Sequence, residues 1–244
     1  MKAVVINGSP RGDKGNTGLI LNPFLEGMKS AGAEVEVFET KDMNVRPCQG
    51  EYACWFRTPG RCFQEDDMQK LLPELLTADV LVLATPLYVD GMTGPLKMVV
   101  DRMIPLGEPK IEYRDDHCRH PGRATVQDRK LALVSNCGFW ELDNFDALVN
   151  HVQAIAKNLD AVFAGALLRP HGPALRAMLD QGIPVADVLD AARDAGRQLV
   201  ETGSISTETL GTVSRPLLAR DQYVAIANQV IAQRVQRTAR NATD

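Results

Sequence analysis

Two stretches of this chain place groups able to grip an anion and a flat ring at the ends of apolar runs. The first is Asn7-Gly8-Ser9-Pro10-Arg11-Gly12-Asp13-Lys14-Gly15-Asn16-Thr17, which leads into a helical pattern. Its glycines let backbone N–H groups turn inward. Ser9 and Thr17 add hydroxyls, Asn16 an amide and Arg11 a charge. The helix that follows brings its positive end to an anion. The spacing is neither that of a dinucleotide fingerprint nor that of a P-loop, and the plainer reading is a glycine turn with Asn16 as the helix N-cap. The second stretch is Thr85-Pro86-Leu87-Tyr88-Val89-Asp90-Gly91, stiff at Pro86 and permissive at Gly91. Leu87, Tyr88 and Val89 offer area to a ring; alternatively Tyr88 closes the core.

A third loop, Asn136-Cys137-Gly138-Phe139-Trp140, suits an irregular turn and puts two aromatic rings at the same mouth. Trp140 reads equally well as a ligand contact and as a helix-packing residue. One anion-binding loop and two apolar ones fit a ligand with a phosphate at one end and a planar ring at the other. FMN has that shape. No general base is needed, because the chemistry would be the cofactor's; no catalytic residue and no metal ligand is assigned.

These loops must be held by the elements between them. Short apolar runs at Ala3–Ile6, Val35–Phe38, Val80–Ala84, Leu131–Val134 and Ala161–Leu168 read as strands of a parallel sheet covered on both faces. Helical spacing marks Asn16–Ala31, Asp67–Thr77, Leu96–Met103 and Asp143–Asn158. The alternation predicts an α/β doubly wound sheet, its first and third strands central, with ligands at the carboxyl ends of the strands. Pro105–Arg129 is a long charged connection, read as a lid over the ring or as a surface excursion. Residues 1–170 are expected to form the core domain. Residues 171–244, with amphipathic stretches at Val185–Val200 and Arg220–Arg237, are expected to form a helical extension on the core or at an oligomer interface.

Net charge is -4 over 244 residues, which gives no basic field for nucleic acid or an anionic membrane. No run approaches the length of a membrane span, and the first residues do not read as a signal peptide. With five cysteines, an odd number, the chain reads as cytoplasmic rather than disulfide-framed.

Three stretches together resemble the flavodoxin-like NAD(P)H-dependent FMN reductases, and within them the branch of iron–sulfur flavoproteins. They are Ile6–Arg11 with Gly15-Asn16-Thr17; Val45–Trp55 with Gly60-Arg61-Cys62 and Asp66-Asp67-Met68; and Thr85–Tyr88 with Leu96-Lys97 and Asp101-Arg102. The resemblance implies a five-stranded flavodoxin-like sheet of order 2-1-3-4-5 and bound FMN, with NAD(P)H as co-substrate. It places Ser9, Arg11, Asn16 and Thr17 on the phosphate, Pro86, Leu87, Tyr88 and Val89 on the ring, and Asn136, Cys137, Gly138 and Phe139 on its other side. The activity implied is electron transfer from NAD(P)H to a quinone, a flavin or a similar small acceptor. The alternative is a flavodoxin-type carrier or an iron–sulfur flavoprotein without nicotinamide-dependent activity. A homodimer or homotetramer is implied as well.

Gly18 departs from the pattern by standing where a further hydroxyl residue is common. Iron–sulfur members carry four cysteines, the first three spaced by two residues; here the series is Cys48, Glu51, Cys54, Cys62. Clusters are normally held by four thiolates, so the segment is expected to keep its loop shape with its cysteines as small side chains. A bound cluster with Glu51 in the place of its second ligand, and a zinc site from the three cysteines, are the other readings.

Overall fold

The computed structural model describes residues 1–123 and 126–241. Its centre is a five-stranded parallel sheet built from β1 (Lys2–Asn7), β2 (Glu34–Glu39), β3 (Val80–Pro86), β6 (Lys130–Asn136) and β7 (Val162–Arg169). The order is β2-β1-β3-β6-β7, which among these five strands is the flavodoxin-like 2-1-3-4-5. All four pairings are parallel. The outermost position of β2 explains its half-polar sequence, Glu-Val-Glu-Val-Phe-Glu: one edge and part of one face meet water.

The central strands are apolar throughout because alternate residues enter two separate cores. Val5, Val82 and Val134 face α1 (Asn16–Ser30) and α7 (Ala186–Thr202), meeting Ile20, Phe24, Met28, Val188, Ala192 and Leu199. Ile6, Leu83 and Leu133 face α3 (Met68–Thr77), α4 (Gly94–Asp101) and α5 (Asp146–Asn158), meeting Leu71, Leu75, Leu96, Val99 and Val152. Helix α7, from the C-terminal quarter, therefore covers the sheet beside α1. The two helices touch through glycine: a Cβ on Gly196 would lie 1.9 Å from the Phe24 carbonyl oxygen, and one on Gly27 1.8 Å from that of Arg193.

The other C-terminal helices are α6 (Gly172–Asp180), α8 (Thr207–Ser214) and α9 (Arg220–Asn241). Arg169, wholly buried at the end of β7, joins α8 to the sheet. Its guanidinium donates to the carbonyls of Pro170, Val213, Ser214 and Arg215 at 2.7–3.3 Å. Burial, and then the nearby Arg215 cation, push its pKa down to about 10, so it stays charged at neutral pH. A cation on the last carbonyls of a helix is favourable.

The segment Pro105–Arg129 carries a hairpin of β4 (Glu112–Arg114) and β5 (His117–Arg119), turned by Asp115 and Asp116 at positive φ. Arg114 donates to the Lys157 carbonyl at 3.0 Å and Arg119 to Asn158 Oδ1 at 2.8 Å. These acceptors end α5, at the amino-terminal edge of the sheet. The hairpin thus docks away from the carboxyl ends of the strands, where a lid over a ring would have to lie. Residues 124 and 125 of this segment lie outside the described residues. Among the described residues no helix is long and apolar enough to cross a membrane.

Candidate functional site

Ten of the twelve site residues expected from sequence line one cleft of about 500 Å³ at the carboxyl ends of β1, β3 and β6. They are Ser9, Arg11, Asn16 and Thr17; Pro86, Leu87 and Tyr88; and Asn136, Cys137 and Gly138. Pro10 and Pro173 complete the wall. Val89 and Phe139 do not line it. Val89 is the tip of a tight turn, 99% exposed with φ 47, closed by reciprocal hydrogen bonds between Tyr88 and Gly91. A β-branched residue at positive φ is strained. The ring of Phe139 is 67% exposed and stands outside the cleft wall.

The end of the cleft formed by the glycine-rich turn is set by close backbone approaches. The Asn7 side chain accepts from the Ser9 N–H at 3.0 Å and donates to Glu39 at 3.1 Å, fixing where the loop leaves β1. Gly8 passes so near α4 that a Cβ would sit 2.7 Å from that of Leu96. Gly15 lies against Ser9, where a Cβ would come within 2.5 Å of Oγ. Gly15 also occupies the N-cap of α1, so no side chain caps the helix and its first turn opens on the cleft. Asn16 is thus the first helical residue rather than the cap. From α6, Arg176 donates to the carbonyls of Lys14 and Gly15 at 3.0 and 3.2 Å, fixing the turn just before α1.

Buried Asn136 joins the two ends. Its Nδ2 donates to Thr17 Oγ1 at 2.6 Å, and its backbone carbonyl accepts from Leu87 N–H at 2.8 Å. One residue at the end of β6 thereby sets both the first turn of α1 and the loop after β3. The amides of Leu87, Tyr88 and Cys137 are committed to the carbonyls of Asn136, Gly91 and Arg169. The Cys137 thiol is buried, which raises its pKa and keeps it neutral.

Behind this loop lies a layer that sequence reading missed. His171 is fully buried with φ 42. Its Nε2 accepts from Leu217 N–H at 3.1 Å, and its backbone N–H donates to the Phe139 carbonyl at 2.6 Å. Trp140 stacks on it at 6.2 Å and donates Nε1–H to the Leu218 carbonyl at 3.1 Å. Tyr223, at the start of α9, lies 5.5 Å from the same imidazole and donates its hydroxyl to the Gly138 carbonyl. Burial, then the Arg169 charge, push the His171 pKa down to about 4, so the ring is neutral. The segment from 213 to 223 is thus strapped across the back of the 136–140 loop. Trp140 serves this packing. The only trace of the strap in the sequence is the aromatic that opens the last helical stripe.

The comparisons agree with this architecture. A match to the family described as NADPH-dependent FMN reductase spans residues 1–136. An iron–sulfur flavoprotein of Archaeoglobus fulgidus is 37% identical over 116 residues, 47% of this chain and 55% of that protein. The chain spans about half the length of the curated relatives it matches. Among solved structures, an FMN-dependent NADH-azoreductase from Bacillus anthracis, in complex with FMN, superposes with a TM-score of 0.60 at 15% identity, covering 82% of this chain and 99% of that one. An NAD(P)H:quinone oxidoreductase from Methanothermobacter marburgensis gives 0.57 at 17% identity, with 82% and 96% coverage. At such identities the structures share the fold. With more than half of its length matched, this chain belongs to the NADPH-dependent FMN reductase family.

Proposed function

We propose that this chain holds FMN in the cleft and works as an NAD(P)H-dependent oxidoreductase, delivering electrons to a quinone, a flavin or a similar small acceptor. The observation that carries the reading is the cleft's two-ended chemistry, bridged by Asn136. A phosphate is suited by the Ser9 and Thr17 hydroxyls, the Arg11 guanidinium, the Asn16 amide and the uncapped start of α1. Because Thr17 Oγ1 accepts from Asn136, its own hydrogen is free to be donated to an anion. A flat ring is suited by Pro86, Leu87 and Tyr88 on one side and by Asn136, Cys137 and Gly138 on the other.

When bound, FMN supplies the capacity to take a hydride from a nicotinamide and pass electrons on. The protein's part is to bind, orient and leave room. Arg11 and the helix start fix the phosphate end. The stiff Pro86 turn and the strapped 136–140 loop fix the ring bed before any ligand arrives, which lowers the ordering cost of binding. Tyr88, half exposed at the mouth, faces whatever approaches the bed. Val89 and Phe139 are assigned here to the mouth, in contact with substrate or with a second subunit.

A homodimer or homotetramer accords with α9, whose Ile226, Val230, Ile231 and Val235 are exposed along one helix. Light scattering after size exclusion tests the assembly. The function is tested by titrating apoprotein with FMN and following fluorescence quenching, then adding NADPH or NADH anaerobically. Saturable quenching followed by loss of flavin absorbance supports the reading. Binding without nicotinamide-driven reduction would leave an electron carrier, and no binding would end the proposal.

A further inference from the structure

A second, narrow pocket lies apart from the cleft and gathers Cys48, Glu51, Cys54, Cys62, Gln64 and Arg102. The names of the relatives imply an iron–sulfur cluster, and this is where three cysteines meet. The residues present do not fit one. A cluster is normally held by four thiolates, and the position between Cys48 and Cys54 is Glu51. Its carboxylate accepts from the Ala53 N–H at 2.8 Å, at the start of the short helix α2 (Ala53–Phe56). The carboxylate thus closes the turn that Tyr52 enters at φ 57.

The third thiol is engaged as well. Arg102, 1% exposed, donates to Cys62 Sγ at 3.2 Å while holding Asp66 at 2.7 Å. No other thiol can serve as the missing ligand. Cys118 is on the exposed hairpin, and Cys137 donates to the Phe139 carbonyl in the other cleft. Arg102 Nε and Gln64 Oε1 are both buried without a partner. Both residues line this pocket, and one donor with one acceptor is the complement of a small polar molecule. Among the described residues no group of three or more His, Cys, Asp or Glu side chains is arranged to hold a metal ion.

We infer that this chain keeps a cluster-type segment without a cluster, that Cys48, Cys54 and Cys62 stand as free thiols, and that Glu51 is the residue responsible. The inference goes beyond the proposed function and stands on this pocket alone. Joined to the proposed function, it means that an acceptor must reach the ligand cleft itself, since no second redox centre lies in this pocket to carry electrons elsewhere.

The test is anaerobic purification with iron and sulfide supplied, followed by iron, acid-labile sulfide, flavin and free-thiol assays and a visible spectrum. The wild-type chain is expected to show no stoichiometric iron or sulfide and to titrate all five cysteines as thiols once unfolded. Glu51→Cys is expected to take up iron and sulfide and to gain a broad visible absorbance. Glu51→Gln, which can still accept from Ala53, is expected to fold and stay iron-free. Wild-type protein that holds stoichiometric iron and sulfide would overturn the inference, whatever Glu51→Cys does. A folded Glu51→Cys that stays iron-free would overturn the role given to Glu51. Missing flavin in the same samples would count against the proposed function and leave this inference standing.

Discussion

Asn136 at the end of β6 donates its side-chain amide to the Thr17 hydroxyl at 2.6 Å, across 119 residues of sequence. Both groups are buried, and the bond ties the turn that opens α1 to the loops after β3 and β6. Removing one partner of a buried hydrogen bond costs about 1–3 kcal/mol. Asn136→Ala is therefore expected to weaken FMN binding by roughly 10- to 100-fold, read as the Kd from fluorescence quenching. Thr17→Val should do at least as much, because it also removes a phosphate donor. Unchanged affinity in both variants would show that the bridge does not organise the cleft.

Tyr223 is tied to the 136–140 loop by its hydroxyl, which donates to the Gly138 carbonyl. Tyr223→Phe keeps the ring contact with His171 and deletes that bond. A net cost of about 1 kcal/mol is expected, as a small drop in Tm together with a faster FMN off-rate in stopped-flow displacement. A drop in Tm with an unaltered off-rate would make the strap purely structural.

His171 gives stability a pH dependence. Its folded pKa is about 4 against an ordinary value near 6.5, so the unfolded chain takes up the proton first as pH falls. The neutral-ring contribution is complete above about pH 6.5 and is lost progressively toward pH 4. Urea melts at a series of pH values should show the wild-type midpoint falling through this window. His171→Gln, which can still accept from Leu217, should flatten that part of the profile.

Gly196 is where α7 meets α1. A Cβ 1.9 Å from the Phe24 carbonyl forces the helices apart. Gly196→Ala should destabilise by at least about 1–3 kcal/mol, despite alanine's better helix propensity. A stabilised variant in a thermal melt would contradict the packing of these two helices.

Asp66 and Arg102 form a buried pair at 2.7 Å. Burial alone would raise the Asp66 pKa. The Arg102 guanidinium and the N–H groups of Arg46 and Met68 outweigh it and hold the carboxyl below its usual range. The stability this confers is present above the ordinary carboxylate pKa and is lost as acid protonates the folded form. Asp66→Asn leaves Arg102 charged and poorly paired, at a cost of about 3–5 kcal/mol, measurable by chemical denaturation.

Much of the cleft was legible because parallel sheets place function locally. A continuous apolar run marks a strand covered on both faces, and the loop after it must lie at the carboxyl edge. Reading three such loops was enough to bring Ser9, Thr17, Leu87 and Asn136 to one place. The positions that fall outside the cleft wall depended on direction rather than location. Val89 follows Tyr88 in sequence, yet a two-residue turn at positive φ sends it outward. The hairpin in the long connection docks on the end of α5 because arginines found carbonyls there, and no local pattern announces such acceptors.

By itself, then, the sequence determined the strand–helix alternation, the sheet's covered faces and the glycine-rich turn that opens α1, all of them consequences of local periodicity and backbone sterics. Only tertiary structure decided that α7 closes the face beside α1 through two glycines, and that Arg169 and His171 strap the C-terminal segment behind the 136–140 loop. These are pairings between residues far apart in the chain, and they exist only once burial makes an unpartnered donor or acceptor too costly to leave alone.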